Sequence, residues 1–282
     1  MGAGERRLKQ LIATADDFGL SIPVNEAVEA AHRNGILTSA SLMVTAAATQ
    51  DAVARARTLP DLAVGLHLVL VDGNPCLPVG VVPALVDRHG LFSKHLASAG
   101  CRFFFLPAVR RQLEAEIRAQ FQTFLATGLA LDHVNSHHHM HLHPTVLGLI
   151  LKIGREYGLK AIRFPFEPPG HTGGNEWPHR VLAPWLALMK NRIAQAGIHR
   201  NHQIFGLRES GGMNSERLLA ILQRLPDGIT EVFFHPATRR WPGLEAGAEQ
   251  YHYEQEYQAL IDPRIAEAVR QSGVRLIAFR DL

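Results

Sequence analysis

Six of the sixteen histidines in this 282-residue chain fall in one short stretch, Asp132-His133-Val134-Asn135-Ser136-His137-His138-His139-Met140-His141-Leu142-His143-Pro144. Imidazole is the commonest protein metal ligand and the usual acid or base near neutral pH. The stretch follows a short apolar run and precedes a helical pattern, which suggests a metal-assisted enzyme site; a solvated polar loop or an adventitious His-rich tract is the plainer account. Asp16 and Asp17 close an apolar run at Leu11–Ala15. Adjacent carboxylates at a strand end point in different directions, so one can bind a metal while its neighbour takes protons. An Asx turn or a helix cap would explain one of them, not both. His67, between Leu66 and Leu68, is by itself more often a core residue than a ligand. His235 ends Phe233-Phe234-His235-Pro236, and Arg163, inside Ile162-Arg163-Phe164, would need a partner if buried. His137 and His141 have the spacing of one helical face, yet Pro144 fits the first helical position, leaving both in the turn before it.

The elements that must position these groups are punctuated by one recurring mark. Asn34-Gly35-Ile36, Thr127-Gly128-Leu129, Tyr157-Gly158-Leu159, Ala196-Gly197-Ile198 and Ser272-Gly273-Val274 each follow an amphipathic run and precede an apolar one. Glycine just past a helix end accepts the left-handed conformation that closes the helix. Helices therefore hand over repeatedly to strands, an alternating β/α pattern. The reading places strands near Leu11–Ala15, Thr38–Val44, Leu62–Leu70, Ala130–Asn135, Lys160–Phe164, Gln203–Phe205, Thr230–Phe234 and Arg275–Phe279. Helices are expected near Val24–Asn34, Gln50–Thr58, Ala108–Thr127, Thr145–Tyr157, His179–Ala196, Ser215–Arg224 and Gln255–Ser272. That alternation fits an α/β fold, a distorted TIM-like (β/α) barrel forming a single domain over residues 1–282. A doubly wound sheet is the rival, and no dinucleotide-type glycine fingerprint favours it. In a barrel, Asp16, Asp17, His67, His137, Arg163 and His235 would converge from five strand ends. Loop insertions near 71–105, 165–178 and 236–254 would build substrate-binding walls on the same face.

Composition narrows the function classes. The net charge is +3, with 46% apolar and 20% charged residues, and no basic stripe of the kind nucleic-acid binding requires. Cys76 and Cys101 form no metal-type or redox-type pair. The N-terminus lacks the apolar region of a signal peptide, and no apolar run reaches transmembrane length, so a cytoplasmic location is expected. The broad apolar set on His179–Ala196 is foremost a core stripe, with one edge available for peripheral membrane contact.

Ala15-Asp16-Asp17-Phe18-Gly19-Leu20-Ser21, Gly65-Leu66-His67, Ser136-His137-His138-His139-Met140-His141 and Phe234-His235-Pro236 resemble the YdjC-like carbohydrate deacetylases, distant relatives of NodB-type polysaccharide deacetylases. The resemblance covers nearly the whole chain. Ser21-Ile22-Pro23-Val24-Asn25-Glu26-Ala27-Val28, the Gly211-Gly212-Met213-Asn214 turn and His235-Pro236-Ala237-Thr238-Arg239 look most like the hopanoid-biosynthesis-associated branch, HpnK. The resemblance implies one divalent metal held by Asp17, His67 and His137, with Asp16 as general base and His235 as general acid. It further implies removal of an N-acetyl group from an acetylated amino sugar, extending to an N-acetylglucosaminyl hopanoid glycolipid. Magnesium is the family's usual metal, but two imidazoles and one carboxylate suit zinc, cobalt or manganese better. Arg163, His139, His141 and Trp241 are the candidates for substrate contact, with His141 also an alternate metal ligand. A metal-dependent sugar isomerase or phosphoesterase would call for more carboxylates, and a non-catalytic metal- or lipid-binding protein would leave Asp16 and His235 without a purpose. Oligomeric state is open, a homodimer included.

Overall fold

The sheet is built around Lys9–Phe18 (β1), whose residues from Leu11 to Phe18 are all buried. A parallel strand covered on both faces reads as a continuous apolar run; here the run ends in the two aspartates. A computed structural model describes residues 9–169, 177–242 and 249–282. The strands that follow are Ser39–Leu42 (β2), Ala63–Leu68 (β3), Val134–Ser136 (β4), Gln203–Phe205 (β5), Gly228–Phe234 (β6) and Arg275–Leu276 (β7). All pairings between them are parallel, in the order β4-β3-β2-β1-β6-β5, with β7 also on β1. The helices are Ile22–Asn34 (α1), Thr49–Ala56 (α2), Leu96–Phe105 (α3), Pro107–Ala126 (α4), Pro144–Glu156 (α5), Trp177–Gln195 (α6), Ser215–Gln223 (α7), Tyr253–Ile261 (α8) and Pro263–Ser272 (α9). The result is a curled parallel sheet wrapped by helices, a distorted (β/α) barrel.

Two distortions depart from the even eight-stranded ring. Lys160–Phe164, expected as a full strand, makes only isolated bridges, Val134 with Ile162 and Ala161 with His199. Pro165 carries no N–H to continue a ladder, and the Asn201 side chain takes the partner strand's place. Its Oδ1 accepts from the Phe164 N–H at 2.6 Å, and its Nδ2 donates to the Phe164 carbonyl at 2.8 Å. The final strand is also short. β7 pairs with Gln10 and Leu11 of β1, on a strand whose later residues Thr14, Ala15 and Phe18 pair with β2.

The helices follow their local signals with three exceptions. The run Gln255–Ser272 is two helices, because Pro263 cannot extend α8; Asp262 instead caps α9, accepting from the Arg264 N–H at 2.9 Å. The insertion after β3 contains α3, which was not anticipated. Four of the five marker glycines adopt positive φ, Gly128, Gly158, Gly197 and Gly273. Gly35 does not, with φ −136°. It is required for space, since a Cβ there would lie 2.1 Å from the Leu260 carbonyl oxygen. On α6, Leu186, Met189 and Ile193 are buried while Leu182 and Leu188 are exposed, and the Trp185 indole donates to the Leu142 carbonyl. The side chain of Val181 and the central parts of two expected loops, 170–176 and 243–248, lie outside the described residues. Among the described residues, no helix is long and apolar enough to cross a membrane.

Candidate active site

A cavity of about 780 Å³ opens at the C-terminal ends of the strands, lined among others by Asp16, Asp17, His67, His137, His139 and His235. Four left-handed non-glycine residues occur among those described, Asp17, Asp72, His138 and His139, and all four line this cavity. Such conformations cost free energy and persist only where the surroundings impose them. Asp17, at φ 60°, sits at a register irregularity between Ala15 and Phe18. An irregularity of this kind re-aims a side chain. The turn is held from behind by Asn25, whose Oδ1 accepts from the Gly19 N–H at 2.8 Å. The His-rich stretch makes a short 3-10 turn, His137–Leu142, kinked at His138 and His139. That kink separates His137 from His141, so the two do not share a helical face.

The innermost groups are fixed by one hydrogen-bond network. Arg163 is fully buried and donates to both oxygens of Asp16, from Nη1 at 2.6 Å and Nη2 at 2.9 Å. Its Nε and Nη2 also donate to Glu231 Oε1. Burial pushes the Asp16 carboxyl up, but the Arg163 charge and then His67 outweigh it and hold it far below the usual carboxylate range. Asp16 Oδ1 further accepts from Ser41 Oγ at 2.7 Å and from Asn135 Nδ2 at 2.9 Å. Because the Asn135 amide nitrogen faces a carboxylate, its oxygen must face His67 Nδ1, 2.7 Å away. The ring therefore carries its proton on Nδ1 and presents a lone pair at Nε2.

That lone pair meets another acceptor. His67 Nε2 lies 3.2 Å from Asp17 Oδ1, and both atoms are buried without a hydrogen-bond partner. His137 Nδ1 lies 3.3 Å from the same oxygen. One ligand atom from each of Asp17, His67 and His137 falls within 4.8 Å of the others. Burial pushes the Asp17 carboxyl up, yet positive charge and hydrogen bonding at His137 and His67 hold it well below the usual range, the favourable charge that a cation held between them would supply instead. Asp16 and Glu231 share the buried Arg163 guanidinium, whereas the buried Asp17 carboxylate faces two imidazoles. Neutral imidazoles as ligands leave that charge uncompensated, and a divalent ion supplies what is missing. Donor chemistry and charge both fit.

His235, at the end of β6, reaches the same cavity. Burial pulls its imidazole below the usual value, against the upward pull of Asp17 and Asp16. Its backbone N–H donates to Glu256 Oε2, and the Met213 N–H donates to Oε1 of the same carboxylate. Burial pushes Glu256 up to about 8 despite these two bonds.

Two expected substrate contacts are placed elsewhere. Arg163 is walled off behind Asp16, because two carboxylates saturate its fork. His141 is fully buried, bonded through Nδ1 to Ser136 Oγ at 2.8 Å, and belongs to neither ligand set nor cavity wall. His139 and Trp241 do line the cavity, with Trp241 set against Tyr253 at 5.0 Å between ring centroids. Ser41, Asn135, Glu231, Glu256 and Asp72 were not singled out from the sequence. Of these, Glu231 had a signal, an acid directly before the apolar run Val232-Phe233-Phe234 within one strand, matching Arg163 in its own apolar run.

Fold and site together define a distorted (β/α) barrel with a candidate metal centre at its C-terminal rim. The family model described as YdjC-like protein matches residues 10–271, and the chain belongs to that family. A carbohydrate deacetylase of Brevibacillus brevis is 32% identical over 281 residues, 97% of this chain and 99% of that protein. A chitooligosaccharide deacetylase of Serratia marcescens is 36% identical over 288 residues, 97% of this chain and 99% of the relative. A crystal structure from Enterococcus faecalis V583, provisionally described as a cellobiose-phosphate cleavage protein, superposes with TM-score 0.74 at 26% identity. It covers 97% of this chain and 98% of its own.

Proposed function

We propose that this protein is a carbohydrate N-deacetylase that hydrolyses the acetamide of an acetylated amino sugar, releasing acetate and the free amine. The observation that carries the reading is the pair of opposed, buried acceptors Asp17 Oδ1 and His67 Nε2, beside His137, Asp16 and His235 in one cavity. Asp17, His67 and His137 would hold one divalent ion. Bound there, it polarises the amide carbonyl and lowers the pKa of water. Asp16, kept charged by Arg163, lines the cavity and orients the attacking water; held this low it is a weak base by itself, so it would accept the proton only of a water already acidified in the centre. His235 gives a proton to the departing amine, without which C–N cleavage is poor. Water is excluded from the rear of the site by the Phe233 ring, against which the Arg163 guanidinium lies at 4.7 Å.

The cavity wall supports a substrate with both a sugar and an apolar part. Leu20, Ile22, Met43 and Val69 share the lining with Trp241 and Tyr251. A sugar ring finds an aromatic platform there, and an apolar aglycone, such as the hopanoid of an N-acetylglucosaminyl glycolipid, finds aliphatic surface. Acetate release from a panel of N-acetylated soluble glycans and glycolipids, with and without chelator, tests both levels. The expected result is chelator-sensitive release that is faster on the glycolipid. Release indifferent to chelator sinks the mechanism, and equal rates on tail-free glycans remove the lipid part alone.

A further inference from the structure

Asp72 stands four residues beyond β3 with φ 48°, and His138 stands one residue beyond His137 with φ 51°. The long insertion folds back to fix Asp72. Its N–H donates to the Ser93 carbonyl at 3.2 Å, and the Phe92 N–H donates to the Gly73 carbonyl at 2.9 Å. Asp72 Oδ2 then lies 3.5 Å from His138 Nε2, and the His138 ring centroid lies 4.2 Å from that of His137. One ligand atom from each of Asp72, His137 and His138 falls within 4.8 Å of the others. Two three-residue ligand sets thus meet at a single imidazole, one inside the barrel mouth and one on its rim.

We propose that Asp72, His138 and His137 form a second, weaker divalent-cation site, which competes with the inner set for His137. It rests on the inner set holding a metal. An imidazole-rich set with one carboxylate suits zinc and its neighbours in the series better than magnesium. The outer site is the weaker because Lys94 already lies 3.3 Å from Asp72 Oδ1, and because His138 is solvent-exposed. A cation taken up there draws His137 outward and leaves the inner ion with Asp17 and His67. Activity therefore rises with the first equivalent of zinc and falls with the second.

The test is zinc stoichiometry of the full chain, stripped with chelator and reloaded by equilibrium dialysis, read by metal analysis and by cobalt absorption spectra. Wild type should take two equivalents, the second at least tenfold weaker. D72N/H138N should take one; asparagine is chosen because it tolerates the left-handed backbone. Retention of the first equivalent shows that the variant is folded, and H138N alone, at an exposed position, should also lose the second. Excess zinc should depress acetate release by wild type but not by D72N/H138N, each relative to its own rate at one equivalent. A single equivalent in wild type at saturating zinc overturns the outer site and leaves the inner one standing. Binding of no zinc overturns both. Persistence of the second equivalent in D72N/H138N, or equal inhibition of both proteins, overturns the assignment to these residues.

Discussion

Asp16 and Asp17 are chemically identical neighbours given opposite tasks by their surroundings. Asp16 has both oxygens engaged by Arg163, with Ser41 and Asn135 on Oδ1. Asp17 instead aims Oδ1 at two imidazoles, 3.2 Å from His67 Nε2 and 3.3 Å from His137 Nδ1. Asp16→Asn should therefore reduce turnover by about 10²- to 10⁴-fold while the metal content after loading with a chosen divalent ion stays that of the parent. Loss of metal along with activity would instead make Asp16 a ligand. Arg163 is held at zero exposure between Asp16 and Glu231. Arg163→Met strands two buried carboxylates and should destabilise the fold by about 3–5 kcal/mol in urea unfolding. Lysine in its place cannot rebuild the two-pronged contact, so Arg163→Lys should recover only part of that loss. Full recovery would show that charge alone is enough there.

At the scale of elements, the site depends on how closely β3 and the segment before β4 approach each other. Gly65 precedes His67 by two residues on the same strand face. A Cβ at Gly65 would lie 2.5 Å from the His133 ring, which is itself stacked on Phe279 at 4.3 Å. That ring is fully buried and tied through Nδ1 to Asp132 at 2.8 Å, so it can yield only by disturbing its neighbours. Gly65→Ala should cost about 1–3 kcal/mol by overpacking and also weaken zinc binding, because the strand that aims His67 must shift. Thermal melts and zinc titration measure the two effects. A melting loss with unchanged zinc affinity would mean that His67 is positioned independently of the strand beneath it. The 3-10 turn His137–Leu142 makes a related point. Its left-handed His138 and His139 turn a run of similar residues in different directions, one to the ligand set, one to the rim, one to the cavity wall and one to the interior.

For the whole molecule, pH couples to a buried carboxylate that is not part of the cavity lining, Glu167. Glu167 is buried, and burial together with Glu209 raises it to about 7. Below its ordinary value of 4.5 both folded and unfolded chains are protonated, and the group contributes nothing to the pH dependence. As pH climbs from there to about 7, the unfolded chain releases its proton freely while the folded one holds it, so stability falls. The loss reaches about 3 kcal/mol at most. Glu167→Gln should thus gain on the parent between pH 5 and pH 8 in urea unfolding, and a difference that stays constant over that range would refute the account. Glu167 accepts from the Arg208 N–H at 3.2 Å, so the effect reports the joint between the loop after the rudimentary strand and the loop after β5.

Much of this architecture was already written in the residues. Apolar runs closed by glycine marked the β/α alternation, and unlike polar groups at their ends marked Asp16, Asp17, His67, His137 and His235 as a set. These signals are local, because burial on both faces of a parallel strand leaves its tip as the place where a polar side chain can serve chemistry. The structure sets Arg163 behind Asp16 and buries His141, placements that a local window does not give, since nothing in it says whether a polar residue faces the cavity or the layer behind it. Such a window also missed Ser41, Asn135 and Asp72, whose roles exist only through partners 25 to 119 residues away in the chain or through a folded-back insertion. By itself the sequence determined the alternation of elements and the residue types delivered to the rim. Only the tertiary structure decided which buried groups oppose each other, which cation neutralises which carboxylate, and which of six neighbouring histidines is turned toward Asp17. Those are properties of distance and direction across strands, which chain order does not encode.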